Sequence, residues 1–220
     1  MMKIVIIMAG MISSGKTTYT TKLADTLGTK PFFEPVEENP ILDLYYEDME
    51  RWGMTLQLYF LNNRFRMIKK AYNDDNNVLD RSLFEDALFT KVNHMNGNIN
   101  DIDYALYLDL VDNMMEEIEG MPKKAPDLMV YLDADLDHVL NNIKKRGREY
   151  EQIEEKDAID EDLLDYYKQL IAEYEIWYEE YDLSPKIKID ATKYDVHKEE
   201  DWEEVYGLIS DKMKELDLLD

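Results

Sequence analysis

The segment from Gly10 to Thr17, GMISSGKT, has the spacing of a loop that binds phosphate through its backbone N–H groups. An apolar run from Ile4 to Met8 precedes it and indicates a strand, and the stretch from Thr18 to Leu27 favours a helix. A strand that leads through such a loop into a helix aims several N–H groups and the positive end of the helix dipole at one anion. We therefore interpret this segment as a nucleotide phosphate loop.

Two side chains of the loop have separate expected tasks. Lys16 is placed to reach the β- and γ-phosphates of a nucleotide as a point charge, and the Thr17 hydroxyl to serve as a ligand of Mg²⁺. The residues that we expect to bind ATP are Gly10, Met11, Ile12, Ser13, Ser14, Gly15, Lys16, Thr17 and Thr18.

Charged residues also follow other predicted strands, and in a parallel α/β sheet ligands bind beyond the carboxyl ends of the strands. Glu34 lies in the short predicted strand 31–36, and a carboxylate there can take the proton of a hydroxyl acceptor. Asp80 and Arg81 end the next strand, where they offer an acid to Mg²⁺ or its water shell and a guanidinium to the transferred phosphoryl group. The simpler alternative for Glu34 is an exposed acid, and that for Asp80 and Arg81 is an ion pair at the strand end.

Two arginines, Arg146 and Arg148, flank Gly147 after a predicted helix. Arginine binds phosphate in a bidentate way and glycine lets the chain hinge, so the pattern favours a mobile lid that closes cations over the phosphates. The alternative is a helix C-terminus whose cations complement the helix dipole.

The rest of the chain supplies the framework for these residues. Strand and helix periodicities alternate, which predicts an α/β fold with a five-stranded parallel sheet covered by helices on both faces. We expect one domain over residues 1–220, with the phosphate loop at 10–17 and the lid at about 144–155. The predicted strands are 4–8, 31–36, 78–80, 127–132 and 186–189, and the predicted helices are 18–27, 52–72, 83–94, 98–120, 136–145, 160–181 and 202–216.

The composition excludes several functional classes. The 25 Lys and Arg residues against 49 Asp and Glu residues give a net charge of −24, which opposes binding to nucleic acid polymers and anionic membranes. The absence of cysteine excludes disulfides, thiolate catalysis and Cys-ligated zinc. With no long apolar run and no signal-like N-terminus, we expect a cytoplasmic protein.

The chemical class of the phosphoryl acceptor is inferred from the charges of residues 31–50. Residues 31–50 contain seven acids and no Lys or Arg, so a site built from this segment would repel an acceptor that already carries phosphate. A neutral nucleoside or alcohol is therefore favoured over a nucleoside monophosphate. Gln57, Arg64 and Asp86 offer amide, donor and acceptor groups that can read the edge of a base, and an Arg64 and Asp86 pair can meet either adenine or cytosine.

Together these residues resemble the deoxyribonucleoside kinase family, and most closely its bacterial deoxyadenosine/deoxyguanosine kinase branch. The resemblance runs through essentially the whole chain, by way of the phosphate loop, EPVEENP at 34–40, DRS at 80–82 and RGREYEQ at 146–152. It implies a P-loop kinase fold with a small arginine-bearing lid, which transfers the ATP γ-phosphate, with Mg²⁺, to the 5′-hydroxyl of a deoxynucleoside in deoxynucleotide salvage. Deoxyadenosine is the expected acceptor, with deoxyguanosine or deoxycytidine as alternatives, and the family is typically a homodimer.

The resemblance also implies a role for each site residue. Glu34 is the general base on the 5′-hydroxyl, and Arg81 holds that hydroxyl and the phosphates. Tyr46 and Glu151 hold the 3′-hydroxyl of the sugar. The other implied contacts are of the base with Gln57, Arg64 and Asp86, of the donor phosphates with Arg146 and Arg148, and of the donor adenine with the loop 192–195.

Two positions depart from the family pattern. Many members carry Glu where this chain has Asp80. The aspartate of this chain would make the metal contact shorter or water-mediated. The first lid arginine, expected one turn before Arg146, is Asn142, and this would weaken donor phosphate binding unless Lys144 or Lys145 substitutes. The competing functions are a thymidylate-kinase-like nucleoside monophosphate kinase, against which the cation-free acceptor segment argues, and a non-catalytic nucleotide-binding subunit.

Overall fold

A parallel sheet forms the centre of the molecule. The computed structural model describes residues 4–33, 39–74, 76–81, 83–119, 125–155 and 158–219. The strands are β1 (Val5–Gly10), β2 (Lys30–Phe32), β3 (Asn77–Asp80), β4 (Leu128–Asp133), β5 (Glu154–Glu155), β6 (Ala158–Ile159) and β7 (Lys186–Asp190). Five of them pair in parallel in the order β2-β3-β1-β4-β7, and β5 and β6 form a separate antiparallel pair.

Helices alternate with the strands of the sheet, which confirms the predicted α/β fold. They are α1 (Lys16–Leu27), α2 (Leu42–Glu47), α3 (Met49–Asp74), α4 (Asp86–Met95), α5 (Asp101–Glu119), α6 (Leu136–Arg146), α7 (Glu161–Glu180) and α8 (Glu199–Glu215). Helix α2 was not predicted, and α4 is preceded by a 3₁₀ turn, Leu83–Glu85. Within the described residues, no helix combines the length and the apolar character needed to span a lipid bilayer.

Alternating residues of β1 enter two different cores, because successive side chains of a strand point to opposite faces. Ile6 and Met8 pack into one core with apolar side chains of α1, α4, α6, α7 and α8. Val5 and Ile7 pack into a second core with side chains of α3 and α5. Helices therefore cover both faces of the sheet, as predicted.

Helix α7 packs a stripe of large side chains against the first core. Tyr167, Leu170 and Tyr174 lie three or four positions apart on one face and are fully buried. The helix begins after Asp160, whose side chain accepts a hydrogen bond from the Leu163 N–H at 2.9 Å. This packing carries the Tyr174 hydroxyl into the interior of the molecule.

Candidate active site

The phosphate loop leaves β1 at Gly10 and enters α1 at Lys16. Gly10 has φ of 146° and Gly15 has φ of 99°, a region that residues with a side chain rarely adopt. A Cβ on Gly10 would also lie 2.8 Å from the carbonyl oxygen of Leu132. The Lys16 ammonium group donates hydrogen bonds to the carbonyls of Gly10 at 2.9 Å and Met11 at 2.7 Å, which hold it against the loop backbone.

The end of β3 lies beside the end of β1, because Met8 pairs with Asp80 in the parallel register. The Thr17 hydroxyl donates a hydrogen bond to Asp80 Oδ2 at 2.5 Å. Hydroxyl and carboxylate oxygens suit Mg²⁺, which in such sites takes further ligands from phosphates and water. No group of three or more His, Cys, Asp or Glu side chains among the described residues could hold a metal by itself. These two residues therefore fit a metal that arrives with nucleotide phosphates.

Arg81 has an unusual backbone conformation for a residue other than glycine, with φ of 71°. Its N–H donates to the Met8 carbonyl at 3.0 Å, and its Nη2 donates to the Gly10 carbonyl at 3.3 Å. The guanidinium group lies 4.7 Å from the ring centre of Phe89. A strained residue that brings a cation to the phosphate loop is typical of a functional site.

A cleft of about 1450 Å³ extends from the phosphate loop across the carboxyl ends of the strands. A site for one small molecule measures roughly 300–1,000 Å³, so this cleft has room for two substrates. Glu34, the predicted general base, lies outside the described residues. The predicted site residues that line the cleft are Ile12, Ser13, Ser14, Gly15, Lys16, Thr17, Thr18, Tyr46, Gln57, Arg64, Asp80, Arg81, Arg146, Arg148, Glu151, Thr192, Lys193, Tyr194 and Asp195.

Arg64, which lines the cleft, belongs to a buried ion pair. Arg64 and Asp86 contact each other directly, and their side chains are only 3% and 0% exposed. Arg64 also lies 4.8 Å from the ring centre of Phe60. Gln57, two turns before Arg64 on α3, also lines the cleft. Asp86 is not among the lining residues and contacts Arg64 instead. The amide, guanidinium and carboxylate groups predicted to read a base thus lie on α3 and the first residue of α4.

The lid arginines pair with Glu151. Arg146 Nη2 contacts Glu151 Oε2, and Arg148 Nη1 donates to Glu151 Oε1 at 3.3 Å. The Tyr167 hydroxyl donates to the Glu151 backbone carbonyl at 3.0 Å, which ties the lid to α7. The sequence analysis assigned the arginines and Glu151 to different substrates, whereas the structure joins them in one network at the cleft.

Tyr46 connects α2 to the lid. Its ring stacks on Tyr150 with 5.2 Å between ring centres. Burial raises the pKa of Tyr46 well above its ordinary value, so the hydroxyl stays protonated at physiological pH and can donate a hydrogen bond. A protonated hydroxyl in the cleft wall is the kind of group that binds a sugar hydroxyl.

Asn142, on α6, lies against the phosphate loop. Its Nδ2 donates to the Ser13 carbonyl at 2.9 Å and lies 2.8 Å from His138 Nε2. Burial lowers the pKa of His138, which keeps the imidazole neutral and able to accept this hydrogen bond. The position at which the family pattern has a lid arginine is therefore at the phosphate loop, and Lys145 also lines the cleft.

Glu85, beside the phosphate loop, is a residue that the sequence analysis missed. Its side chain is fully buried and accepts hydrogen bonds from the Gly10 N–H at 3.1 Å and the Tyr174 hydroxyl at 2.8 Å. The available signal was its position four residues after Arg81, since charges at this spacing meet in helical segments.

The chain matches the family described as deoxynucleoside kinase over residues 6–214. It is 48% identical over 213 residues to a deoxyguanosine kinase of Lactobacillus johnsonii, covering 96% of this chain and 93% of the relative. It is 44% identical over 213 residues to a deoxyadenosine kinase of Lactobacillus acidophilus, covering 96% and 97%. The solved structure of deoxyadenosine kinase from M. mycoides with bound dATP superposes with a TM-score of 0.78 at 31% identity, covering 94% of this chain and 99% of that one.

Proposed function

This chain belongs to the deoxynucleoside kinase family, and we propose that its preferred acceptor is deoxyadenosine, phosphorylated at the 5′-hydroxyl with ATP and Mg²⁺. Transfer of phosphate from ATP to a deoxynucleoside is the activity of this family. One observation carries the proposed base preference: Arg64, which lines the cleft together with Gln57, forms a buried ion pair with Asp86.

The hydrogen-bonding chemistry of this pair favours a base with an amino group next to a ring acceptor. The carboxylate of Asp86 accepts hydrogen bonds and the guanidinium of Arg64 donates them, which suits the edge of adenine and also of cytosine. Guanine has a carbonyl oxygen where adenine has its amino group, so an ionised Asp86 would face a second acceptor. On hydrogen-bonding grounds, deoxycytidine is therefore the expected second acceptor. The 48% identity to a deoxyguanosine kinase instead favours deoxyguanosine as an acceptor.

The proposed transfer uses cations that converge on the phosphate loop. Lys16 and Arg81 both donate to the Gly10 carbonyl, so their charges lie together where the transferred phosphoryl group would be held. Glu34 takes the proton of the 5′-hydroxyl as that oxygen attacks the γ-phosphorus of ATP. The bond from the γ-phosphorus to the bridging oxygen breaks, and ADP leaves.

The lid and the metal complete the proposed charge balance. Arg146 and Arg148 approach the donor phosphates from the lid, where their bidentate geometry suits phosphate oxygens. Thr17 and Asp80 would hold Mg²⁺ together with the β- and γ-phosphates. When bound, the metal supplies neutralisation of the charge that develops on the phosphate oxygens.

The proposal is tested by the release of ADP from MgATP with deoxyadenosine, deoxyguanosine, deoxycytidine, thymidine and dTMP as separate acceptors. We expect the highest kcat/KM with deoxyadenosine, and we expect Glu34→Ala to lower that turnover at least about 10²-fold. Glu50→Ala, which removes an exposed acid of the same acidic segment, is the matched control. A preference for deoxyguanosine would overturn the base assignment, and turnover of dTMP alone would indicate a monophosphate kinase.

A second prediction concerns Asn142, which contacts the phosphate loop through the Ser13 carbonyl. Asn142→Arg adds a guanidinium close to the donor phosphates, so we expect KM for ATP to fall about fivefold with little change in kcat. Asn141→Arg adds the same charge to the exposed face of α6 and should leave KM for ATP unchanged. An equal effect of both variants would indicate a general gain of positive charge instead of a contact with the donor.

A further inference from the structure

No step of the proposed transfer uses Glu85, yet its carboxylate lies completely buried beside the phosphate loop. It ends the 3₁₀ turn between β3 and α4. Its Oε2 accepts from the Gly10 N–H at 3.1 Å and the Tyr174 hydroxyl at 2.8 Å, and its Oε1 lies 3.7 Å from Arg81 Nε. One carboxylate thus contacts the phosphate loop, helix α7 and the arginine at the end of β3.

The backbone of Gly10 is the centre of this arrangement. Its N–H is bound by Glu85, and its carbonyl accepts from Lys16 Nζ at 2.9 Å and Arg81 Nη2 at 3.3 Å. Its φ of 146°, and the 2.8 Å that would separate an added Cβ from the Leu132 carbonyl oxygen, leave no room for a residue with a side chain at this position. The Arg81 guanidinium therefore has two contacts in this arrangement, an ion pair with Glu85 at Nε and a hydrogen bond to the Gly10 carbonyl at Nη2.

The orientation of the carboxylate is itself fixed from α7. Burial raises the pKa of Tyr174 well above its ordinary value, so the hydroxyl remains protonated and its proton is donated to Glu85 Oε2. Oε1 is then the oxygen that faces Arg81. A buried carboxylate is costly unless cations and hydrogen-bond donors surround it, and packing alone would be satisfied by an apolar side chain.

We propose that Glu85 is a positioning residue for phosphoryl transfer, which holds the Arg81 guanidinium and the Gly10 backbone in a fixed relation. The arginine then meets the transferred phosphoryl group without a search over rotamers. A displacement of about 1 Å in a group that positions the reacting atoms can cost about 10²-fold in rate. This inference rests on the role proposed above for Arg81.

The test is Glu85→Gln, assayed with the best acceptor. Glutamine keeps the size and one oxygen for the Gly10 N–H, but it removes the charge and turns an N–H group toward Arg81 Nε. We expect kcat to fall about 10²-fold while KM for ATP changes by less than about threefold. Glu173→Gln is the matched control, because it removes another largely buried acid, paired with Lys91 at 2.5 Å, away from the cleft. Its kcat should stay within about twofold of wild type.

Coupling to Arg81 distinguishes positioning from packing. Because Glu85 acts through Arg81, the double variant Arg81→Lys/Glu85→Gln should be no more than about threefold slower than Arg81→Lys alone, whereas a purely structural role gives additive losses. Additive losses, or a loss below threefold in Glu85→Gln, would overturn the inference. A silent Arg81→Lys would instead overturn the proposed role of Arg81. If circular dichroism shows that Glu85→Gln does not fold, Glu85→Asp, which keeps the charge but withdraws it by one methylene, is judged by the same criteria.

Discussion

Replacing Lys16 with alanine is expected to lower kcat/KM for ATP about 10³-fold. The ammonium group lies at the loop carbonyls of Gly10 and Met11, so phosphate oxygens bound by the loop N–H groups come within its reach. As the bond to the γ-phosphorus breaks, negative charge grows on the bridging oxygen of ADP. A cation fixed there stabilises the transition state more than the bound substrate, so kcat should fall further than KM rises.

The measurement is ADP release over a range of ATP concentrations at saturating acceptor. Lys22→Ala is the matched control, because Lys22 lies on the same helix but contacts Glu199 at 3.9 Å and Trp202 instead of the loop. Lys16→Arg keeps the charge with a broader head group and should recover only a small part of the rate. A loss in Lys22→Ala as large as that in Lys16→Ala would attribute the effect to α1 as a whole.

The secondary structure could be predicted where one periodicity dominates. In α7, Tyr167 and Tyr174 belong to a single apolar stripe, and the structure buries both. Apolar residues such as Ile102 and Leu106 have helical spacing within the predicted helix 98–120, yet Ile102 is 80% exposed. Among the residues of α5 whose burial is described, Tyr107 alone is fully buried. The apolar residues of α5 lie on more than one face of the helix. Their spacing therefore identifies the helix but does not select the face that packs against the core.

The site could be predicted where the parallel sheet itself gathers residues. Thr17 and Asp80 meet because β1 and β3 are neighbours whose carboxyl ends share one edge. The contact of Asn142 with the phosphate loop joins residues 129 positions apart, and the bond from Gly10 to Glu85 joins residues 75 apart. Such contacts depend on how helices pack on the sheet, which no local spacing encodes. The spacing of four residues links Glu85 to Arg81, but no spacing in the sequence links it to Gly10.

Asp86→Asn is the variant with the largest expected effect on use of the acceptor. We expect kcat/KM for deoxyadenosine to fall about 10³-fold. The amide that replaces the carboxylate is a weaker acceptor for the adenine amino group, and it no longer neutralises Arg64, whose side chain is 3% exposed. The loss of charge inside this pair should also lower the free energy of unfolding by about 3 kcal/mol, because the guanidinium stays buried with less compensation.

The relative rates of the acceptors separate recognition of the base from stability. An asparagine amide can donate to the carbonyl oxygen of guanine, so kcat/KM for deoxyguanosine should fall much less than that for deoxyadenosine, or rise. KM for ATP serves as the internal control and should change by less than about twofold, since the ion pair of Asp86 is with Arg64 on α3. An equal loss for every acceptor, together with a lower melting temperature, would mean that the pair supports α3 and α4 without reading the base. A selective loss for deoxyadenosine would make the Arg64 and Asp86 pair the determinant of acceptor choice, because packing alone treats the two purines alike.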